Sequence, residues 1–334
     1  MKAMREIGSE FWDVPVAEEN NGLFPETTQW FLSGRCALKA IINELGVARS
    51  ISLPSWCCDS IIKPFVDAHY TIRFYSVMEN GFAPAPEMDT EVLLLMDFFG
   101  YTSPSPDLSN YKGIVIRDVT HSIFSSKYFD ADYYFGSLRK WCGLWTGGFA
   151  WTQDGHRVLM KDTEDYGYIS LRKKAMQLKS GFSKGRGATD KEYLFFFDEA
   201  EKCLEKVGIV PAADRDVRLA TKLDARMIRK RRRANAEILR SAFPNWLMFS
   251  KMKPSDTPMF VPIIVPDFKR DELRKYLIEQ KIYCPVHWPV SEYHKLDKRM
   301  SQIYQNELSL VCDQRYTAKD MNRIVKNIKD FMER

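Results

Sequence analysis

Short apolar runs alternate with helical patterns over the first half of the chain. Residues 36–46 carry apolar side chains at helical spacing and stop at Gly46, and Ser33-Gly34 precedes them, which predicts a capped helix. Another helix is predicted at 59–68, and strands at 51–53, 71–77, 92–99, 113–116, 133–135 and 148–152. This alternation predicts an open, mostly parallel α/β sheet, with functional residues at the carboxyl ends of its strands.

The pattern changes in the second half. A tract rich in Lys, Arg and Glu is predicted to be helical at 191–207 and again at 215–243. From residue 260 onward the pattern predicts, in order, a strand at 261–265, a helix at 270–280, a short strand at 282–286 and a helix at 318–332. We therefore predict a large domain of residues 1–243 and a small α+β domain of residues 244–334.

Composition narrows the class of protein. A chain of 334 residues, 45% hydrophobic and 28% charged, is long enough to bury a large core. Its net charge of +5 is small and does not by itself indicate a polyanionic partner. Residues 1–22 lack a signal-like apolar stretch, and the longest apolar runs are too short to span a bilayer. These features predict a cytoplasmic protein without a membrane or nucleic-acid partner.

The cysteines predict neither a metal site nor disulfides. There are seven of them, an odd number, and none has C-x-x-C spacing, since Cys57-Cys58 is only a vicinal pair. We expect reduced thiols that behave mostly as small buried apolar side chains.

The sharpest basic cluster is the run 229–233, Arg-Lys-Arg-Arg-Arg. Five consecutive helical positions point in all directions, and no aromatic residues interleave to offer a stacking platform for bases. A solvated or dimer-facing helix is therefore the preferred interpretation over a nucleic-acid site.

The most informative chemistry lies at Lys140, which stands between a β-like run and the pair Gly147-Gly148, 22 residues after Asp118. A lysine at a strand end can form a Schiff base with the aldehyde of pyridoxal phosphate and then act as general base and acid. A carboxylate from a neighbouring strand end would keep the pyridine nitrogen protonated. The alternatives are a solvated lysine and an aspartate that caps a turn.

Segments of the chain resemble, in order, the DegT/StrS-like sugar aminotransferases, which are fold-type I pyridoxal phosphate enzymes. They lie at 34–38, 53–56, 118–122, 136–148, 281–289 and 308–316, so that the resemblance covers nearly the whole chain. It implies a large domain with a mostly parallel sheet of the seven-stranded type, flanked by helices, and a small α+β domain. It also implies a homodimer that converts a keto sugar, linked to a nucleotide, to an amino sugar, with glutamate as the donor.

The resemblance assigns the cofactor phosphate to the start of the first helix, at Gly34, Arg35 and Cys36, where free N–H groups and the helix dipole favour an anion. Arg35 stands where the family more often has threonine, and an outward-facing arginine on a capped helix is the alternative. Ser137, three residues before the lysine, and Arg139 are further phosphate candidates. Sugar aminotransferases more often place this serine two residues earlier.

The remaining cofactor contacts are implied at two other strand ends. Asp118 would pair with the pyridine nitrogen, and His121 would lie near the phenolic oxygen of the ring. For the residue that packs on the ring, chemistry favours Trp56, whereas the family alignment points to Cys58. Both stay open at this point, and Trp56 is equally interpretable as core.

The chain departs from the family in one segment. The family's Asn-x-Arg-Met motif, which reaches the partner subunit's site, has no counterpart, and residues 179–186 stand at about that place as either a glycine-hinged basic loop or a disordered surface loop. Two further functions therefore stay open: a catalytically silent homologue that binds or regulates a partner, and another pyridoxal phosphate chemistry, such as that of a lyase or decarboxylase.

Overall fold

The computed structural model describes residues 5–47, 49–77, 86, 89–102, 106–125, 131–158, 160, 164–186 and 191–334. Its internal contacts divide the chain into two units. The first unit comprises residues 1–9, 48–130 and 225–334, and the second comprises residues 10–47 and 131–224. The division into domains 1–243 and 244–334 stays a prediction.

The elements are numbered in chain order. The strands are β1 (Ile7–Gly8), β2 (Gln29–Phe31), β3 (Ser50–Pro54), β4 (Thr71–Tyr75), β5 (Val92–Met96), β6 (Ile114–Asp118), β7 (Tyr133–Ser137), β8 (Gly148–Thr152), β9 (Phe260–Ile264), β10 (Ile282–Tyr283) and β11 (Glu307–Val311). The helices are α1 (Gly34–Leu45), α2 (Asp59–Asp67), α3 (Tyr168–Ser183), α4 (Tyr193–Lys206), α5 (Asp214–Thr221), α6 (Ala225–Ala242), α7 (Arg270–Glu279), α8 (Lys298–Asn306) and α9 (Ala318–Met332). No helix within the described ranges is both long and apolar enough to cross a bilayer.

The main sheet has seven strands, four of them in the first unit. These four are parallel and lie in the order β6-β5-β3-β4, with α2 packed against β4. Every residue of β5, the run Val-Leu-Leu-Leu-Met, is buried, as is typical of a parallel strand covered on both faces. Because β3, β5 and β6 are parallel, the residues that follow them emerge at one edge of the sheet.

A second core in the first unit is built on the antiparallel pair β9 and β11. The helices α6, α7 and α9 supply apolar side chains to it, among them Leu239, Leu277 and Ile328, all fully buried. The short strand β1 pairs with β10 in parallel and adds Ile7 to the same core.

The second unit contributes the other three strands, in the order β2-β8-β7, with β8 antiparallel to both neighbours. Helix α1 packs on β7 and β8 through the apolar face that its spacing predicted, which includes Leu38 and Ile41. Helices α3 and α4 pack against each other. The predicted fold class, a mainly parallel seven-stranded sheet flanked by helices, is confirmed.

The predicted helix at 215–243 is wrong in one respect, because it is two helices. Helix α5 ends at Thr221 and α6 begins at Ala225. The backbone between them pairs with the N-terminal segment instead: Ala17 N–H donates to Lys222 O at 2.8 Å, and Asp224 N–H donates to Pro15 O at 3.0 Å. These tertiary hydrogen bonds replace helical ones.

Candidate cofactor site

The N-terminus of α1 in the second unit offers unsatisfied amide groups. Ser33 caps the helix, and its Oγ accepts the Cys36 N–H at 3.2 Å. The backbone N–H of Cys36, which the sequence predicted to contact the phosphate, is therefore already hydrogen-bonded within the cap. Within the ranges described, the N–H groups of Gly34 and Arg35 have no acceptor. These two amides, at the positive end of a helix dipole, suit a bound anion.

Gly34 and Ser137, both predicted to bind phosphate, lie side by side. A Cβ atom built on Gly34 would be 3.2 Å from both the Gly136 carbonyl oxygen and the Ser137 Cβ. Ser137 ends β7 and is buried, so its position is fixed by the sheet. The start of α1 and the end of β7 thus form one small cradle.

Gly148, the first residue of β8, allows this cradle to form because it has no side chain. A Cβ atom on Gly148 would lie 2.1 Å from the Ser33 carbonyl oxygen, at the turn that starts α1. We expect Gly148→Ala to lower the free energy of unfolding by about 1–3 kcal/mol, because the turn must move. Urea titration measures this. Gly34→Ala, whose nearest contact is 3.2 Å, is the milder comparison, and equal losses in the two variants would contradict the steric account.

Lys140 ends a 3₁₀ turn, Leu138–Lys140, that directly follows β7. Its side chain is exposed, so the amine is accessible to a ligand. The neighbouring Arg139 is engaged elsewhere: its Nη1 donates to Glu201 Oε1 at 2.9 Å and to the Tyr168 hydroxyl. This ion pair disfavours Arg139 as a phosphate contact, although the sequence suggested it.

Glu201 is the centre of a charge cluster that the sequence did not reveal. Arg172, buried in α3, lies 3.9 Å from Glu201 Oε1, and its guanidinium packs 4.8 Å from the ring centroid of Phe197. Burial alone would raise the pKa of Glu201, but Arg139 and Arg172 hold it below its ordinary value. The cluster fixes the side chain of Arg139, beside the exposed Lys140.

Both interpretations of the basic segment 179–186 as a loop are wrong for its first part, which is helical. Residues up to Ser183 belong to α3, and Lys179 is buried, with its Nζ donating to the Tyr193 hydroxyl at 3.0 Å. The Lys179 ammonium also lies 4.4 Å from the centroid of the Tyr193 ring. The first part of this segment therefore stabilises the packing of α3 on α4.

In the first unit, Asp118 is the last residue of β6 and is buried. Its Oδ1 accepts the Thr120 N–H at 2.8 Å, the turn geometry expected of an aspartate after a strand. The residue thus stands at the predicted strand end with its side chain held by the turn. This geometry is compatible with both interpretations of Asp118.

His121 is fully buried and has a defined tautomer. Its Nδ1 accepts the Phe99 N–H at 3.1 Å, so in the neutral ring the proton resides on Nε2. The ring stacks on Trp288, with centroids 5.8 Å apart and planes at 21°. His121 therefore presents Nε2 as a hydrogen-bond donor, the role that a phenolate oxygen requires of its partner.

The two candidates for packing on the cofactor ring have different surroundings. Trp56 is fully buried, stacks on Phe98 with centroids 5.2 Å apart, and donates its Nε1–H to the His287 carbonyl at 2.7 Å. These contacts favour the interpretation of Trp56 as core. Cys58 is partly exposed at the N-cap of α2, with its Sγ 2.8 Å from Ser60 Oγ. Of the two, Cys58 is the more accessible.

A hydrogen-bonded chain of three side chains lies close to His121 and was missed by sequence reasoning. His287 Nδ1 lies 2.8 Å from Ser309 Oγ, and that hydroxyl donates to Glu307 Oε1 at 2.6 Å. The second carboxyl oxygen of Glu307 accepts the His287 N–H at 2.7 Å. A signal was available, because Glu307 and Ser309 are polar residues at alternate positions of an otherwise apolar strand.

Three arginines of the basic run 229–233 hydrogen-bond within the first unit, so the expectation of a solvated or dimer-facing helix is wrong for these three side chains. Arg232 is buried and donates to Gln314 Oε1 at 2.7 Å and to the Met259 carbonyl at 2.8 Å. Arg229 and Arg233 donate to the carbonyls of Phe124 and Asp256 at 2.7 and 2.6 Å. These side chains stabilise the fold around α6.

No family model and no curated protein matches this sequence. Solved structures do match it at low identity. They include a DegT DnrJ EryC1 StrS aminotransferase from Brucella abortus (TM-score 0.61, 13% identity, covering 91% of this chain and 85% of that one) and Helicobacter pylori PseC, an aminotransferase involved in the biosynthesis of pseudoaminic acid (0.62, 14%, 97% and 100%). DesV from S. venezuelae, in complex with a ketimine intermediate, is similar to the same degree (0.62, 16%, 98% and 91%). The chain has the fold of these proteins.

Proposed function

We propose that this protein is a pyridoxal phosphate-dependent aminotransferase that converts a keto sugar to an amino sugar. The observation that carries the proposal is the arrangement in the second unit. Two N–H groups without acceptors among the described residues, at Gly34 and Arg35, lie beside Ser137, three residues before the exposed Lys140. A phosphate dianion suits the amides, and an accessible amine suits an aldehyde.

The residues of this chain fit the cofactor's chemical groups. When bound, pyridoxal phosphate supplies an electron sink for the carbon that loses a proton. In the proposal, Lys140 attaches the cofactor and then moves that proton as general base and acid. Asp118 keeps the pyridine nitrogen protonated, and His121 donates its Nε2–H to the phenolic oxygen. Cys58, rather than the buried Trp56, packs beside the ring.

The family resemblance supports the proposed substrate and assembly, and the structural neighbours support an aminotransferase. PseC is an aminotransferase involved in the biosynthesis of pseudoaminic acid, and the Brucella protein is a DegT DnrJ EryC1 StrS aminotransferase. We assign to this chain a keto sugar linked to a nucleotide as acceptor, glutamate as amino donor, a homodimeric state and a cytoplasmic location. The charge cluster around Glu201 holds Arg139 away from the phosphate, which leaves the amides of α1 and Ser137 to bind it.

The decisive experiment is chemical trapping at Lys140. The purified protein is mixed with pyridoxal phosphate, its visible spectrum is recorded, the imine is fixed with borohydride, and the peptides are mapped by mass. We expect one adduct, on Lys140, and its loss in Lys140→Ala. Lys184→Ala, which removes an equally exposed lysine, serves as the matched control and should keep the adduct.

The outcomes separate the candidate functions. An adduct at Lys140 followed by amino transfer from glutamate to a keto sugar supports the aminotransferase. An adduct without transfer, but with loss of CO₂ or elimination from an amino acid, points to a decarboxylase or lyase. A folded protein with no adduct at Lys140 rules out the proposal and favours a silent homologue that binds a partner.

A further inference from the structure

Three hydrogen-bonded side chains have the geometry of a proton conductor: His287, Ser309 and Glu307. Each link is within ordinary hydrogen-bond distance, 2.8 Å from His287 Nδ1 to Ser309 Oγ and 2.6 Å from Ser309 Oγ to Glu307 Oε1. Glu307 is fully buried, so its carboxyl exchanges protons with these partners rather than directly with solvent. A hydroxyl between two titratable groups both donates and accepts, and so passes protons in either direction.

In this series of hydrogen bonds, His287 lies close to His121, one of the proposed cofactor residues. The His287 ring centroid is 6.3 Å from that of His121 and 5.2 Å from those of Phe99 and Trp288. His287 is partly exposed, whereas Ser309 and Glu307 are fully buried. The partly exposed end is therefore beside the proposed cofactor residue, and the carboxyl that takes up the proton is buried.

We propose that His287, Ser309 and Glu307 form a proton relay that accepts a proton from the amino donor. The donor arrives as an ammonium ion and must lose a proton before its nitrogen can attack. The N–H bond of the ammonium breaks as a bond to His287 Nε2 forms, the Nδ1 proton passes to Ser309 Oγ, and the hydroxyl proton passes to Glu307 Oε1. The imidazole stays neutral throughout, and the carboxylate becomes a carboxylic acid. The role of the donor in this inference rests on the proposed function.

The electrostatic surroundings allow the carboxyl to hold that proton. Burial raises the pKa of Glu307 to about 8, against opposing effects of its hydrogen bonds and of Arg270. Arg270 on α7 donates to the Glu307 main-chain oxygen at 3.1 Å, and its Nε lies 2.6 Å from Asp271 Oδ1. Cys284 is a further titratable neighbour, and burial raises the pKa of its thiol to about 12, so it remains neutral. The relay therefore changes state at a pH of about 8.

The relay predicts a coupled change of tautomer that a static structural role does not. Above a pH of about 8, the Glu307 carboxylate accepts from Ser309, and the His287 proton resides on Nδ1. Below it, the carboxylic acid donates to Ser309, whose hydroxyl then donates to Nδ1, so that the His287 proton resides on Nε2. The ¹⁵N shifts of histidine ring nitrogens distinguish these two tautomers from each other and from the imidazolium ion.

The test is ¹⁵N NMR of the histidine-labelled full chain without cofactor, with His287→Gln used to assign the signals of one among five histidines. We expect the tautomer of His287 to switch as the pH crosses about 8, and the switch to be lost in Ser309→Ala and in Glu307→Gln. Ser52→Ala removes another fully buried strand hydroxyl and should leave the switch intact. Should Ser309→Ala not fold, Glu307→Gln alone decides.

An unchanged tautomer over this pH range, or a switch that persists in both variants, overturns the relay. Neither result depends on Lys140, since no cofactor is added. If the Lys140 adduct forms but the tautomer of His287 does not switch, the proposed function is supported and the relay is overturned. If the tautomer switches but no Lys140 adduct forms, the three side chains still conduct a proton, but the amino donor is not its source.

Discussion

Asp118→Asn is expected to slow amino transfer by roughly 10²- to 10⁴-fold while the cofactor still attaches to Lys140. The substitution leaves the proposed protonated pyridine nitrogen without its buried carboxylate, a loss of about 3–5 kcal/mol for a broken buried pair. Asparagine keeps the side-chain oxygen that accepts the Thr120 N–H at 2.8 Å, so the turn after β6 should survive. The measurement is the single-turnover rate of the loaded protein with glutamate.

The control for this prediction is Asp67→Asn, which removes one negative charge from the exposed end of α2. Its surface pair with Lys63 is worth little, so we expect a rate equal to that of the parent protein. If Asp118→Asn also reacted at the parent rate, with normal adduct formation, Asp118 would be only a turn-capping residue. The assignment of the pyridine partner would then be wrong.

Glu307→Gln is expected to remove the part of the pH dependence of the free energy of unfolding that the Glu307 carboxyl causes. The folded state holds the Glu307 proton up to a pH of about 8, whereas the unfolded chain releases it near the ordinary value of 4.5. Between these values the unfolded state binds fewer protons, so the carboxyl lowers the free energy of unfolding as the pH rises. The accumulated loss is about 5 kcal/mol, and glutamine, which does not titrate, escapes it.

Chemical denaturation at several pH values measures this difference. The free energy of unfolding of Glu307→Gln should be close to that of the parent protein near pH 4.5 and exceed it by several kcal/mol above pH 8. Glu205→Gln, at an exposed position of α4, is the matched control and should follow the parent curve. Parallel curves for Glu307→Gln and the parent protein would show that the Glu307 carboxyl ionises normally in the folded state.

The sequence predicted those elements whose buried faces are apolar. The first helix and its cap, the all-apolar β5 and the last helix, predicted at 318–332 and found at Ala318–Met332, follow directly from hydrophobic spacing. Gly34 at the start of α1 and Ser137 at the end of β7, both predicted from the sequence to bind phosphate, lie side by side, and their role in binding stays a prediction. In these cases local pattern and tertiary burial agree.

Prediction failed where buried positions hold polar side chains. Helix α3 was missed because two residues of its buried face, Arg172 and Lys179, are charged, which interrupts the apolar period. The hydrophobic pattern did not predict strand β11 for the same reason, since Glu307 and Ser309 are among its buried residues, although the family resemblance placed a strand-to-helix step at 308–316. Their partners are supplied by distant parts of the chain, as with Glu10 and Arg172 or His287 and Glu307. No spacing rule encodes such pairs.

The interleaved make-up of the two units has a consequence for synthesis on the ribosome. The second unit, residues 10–47 and 131–224, is fully translated while the first still lacks residues 225–334. Until β10 emerges, β1 has no strand to pair with, and the β9–β11 core does not exist. Strands β3 to β6 are translated by then, whereas the residues that complete their unit are not. We expect this interval to be the period of greatest aggregation risk, and slower translation after residue 224 to lengthen it.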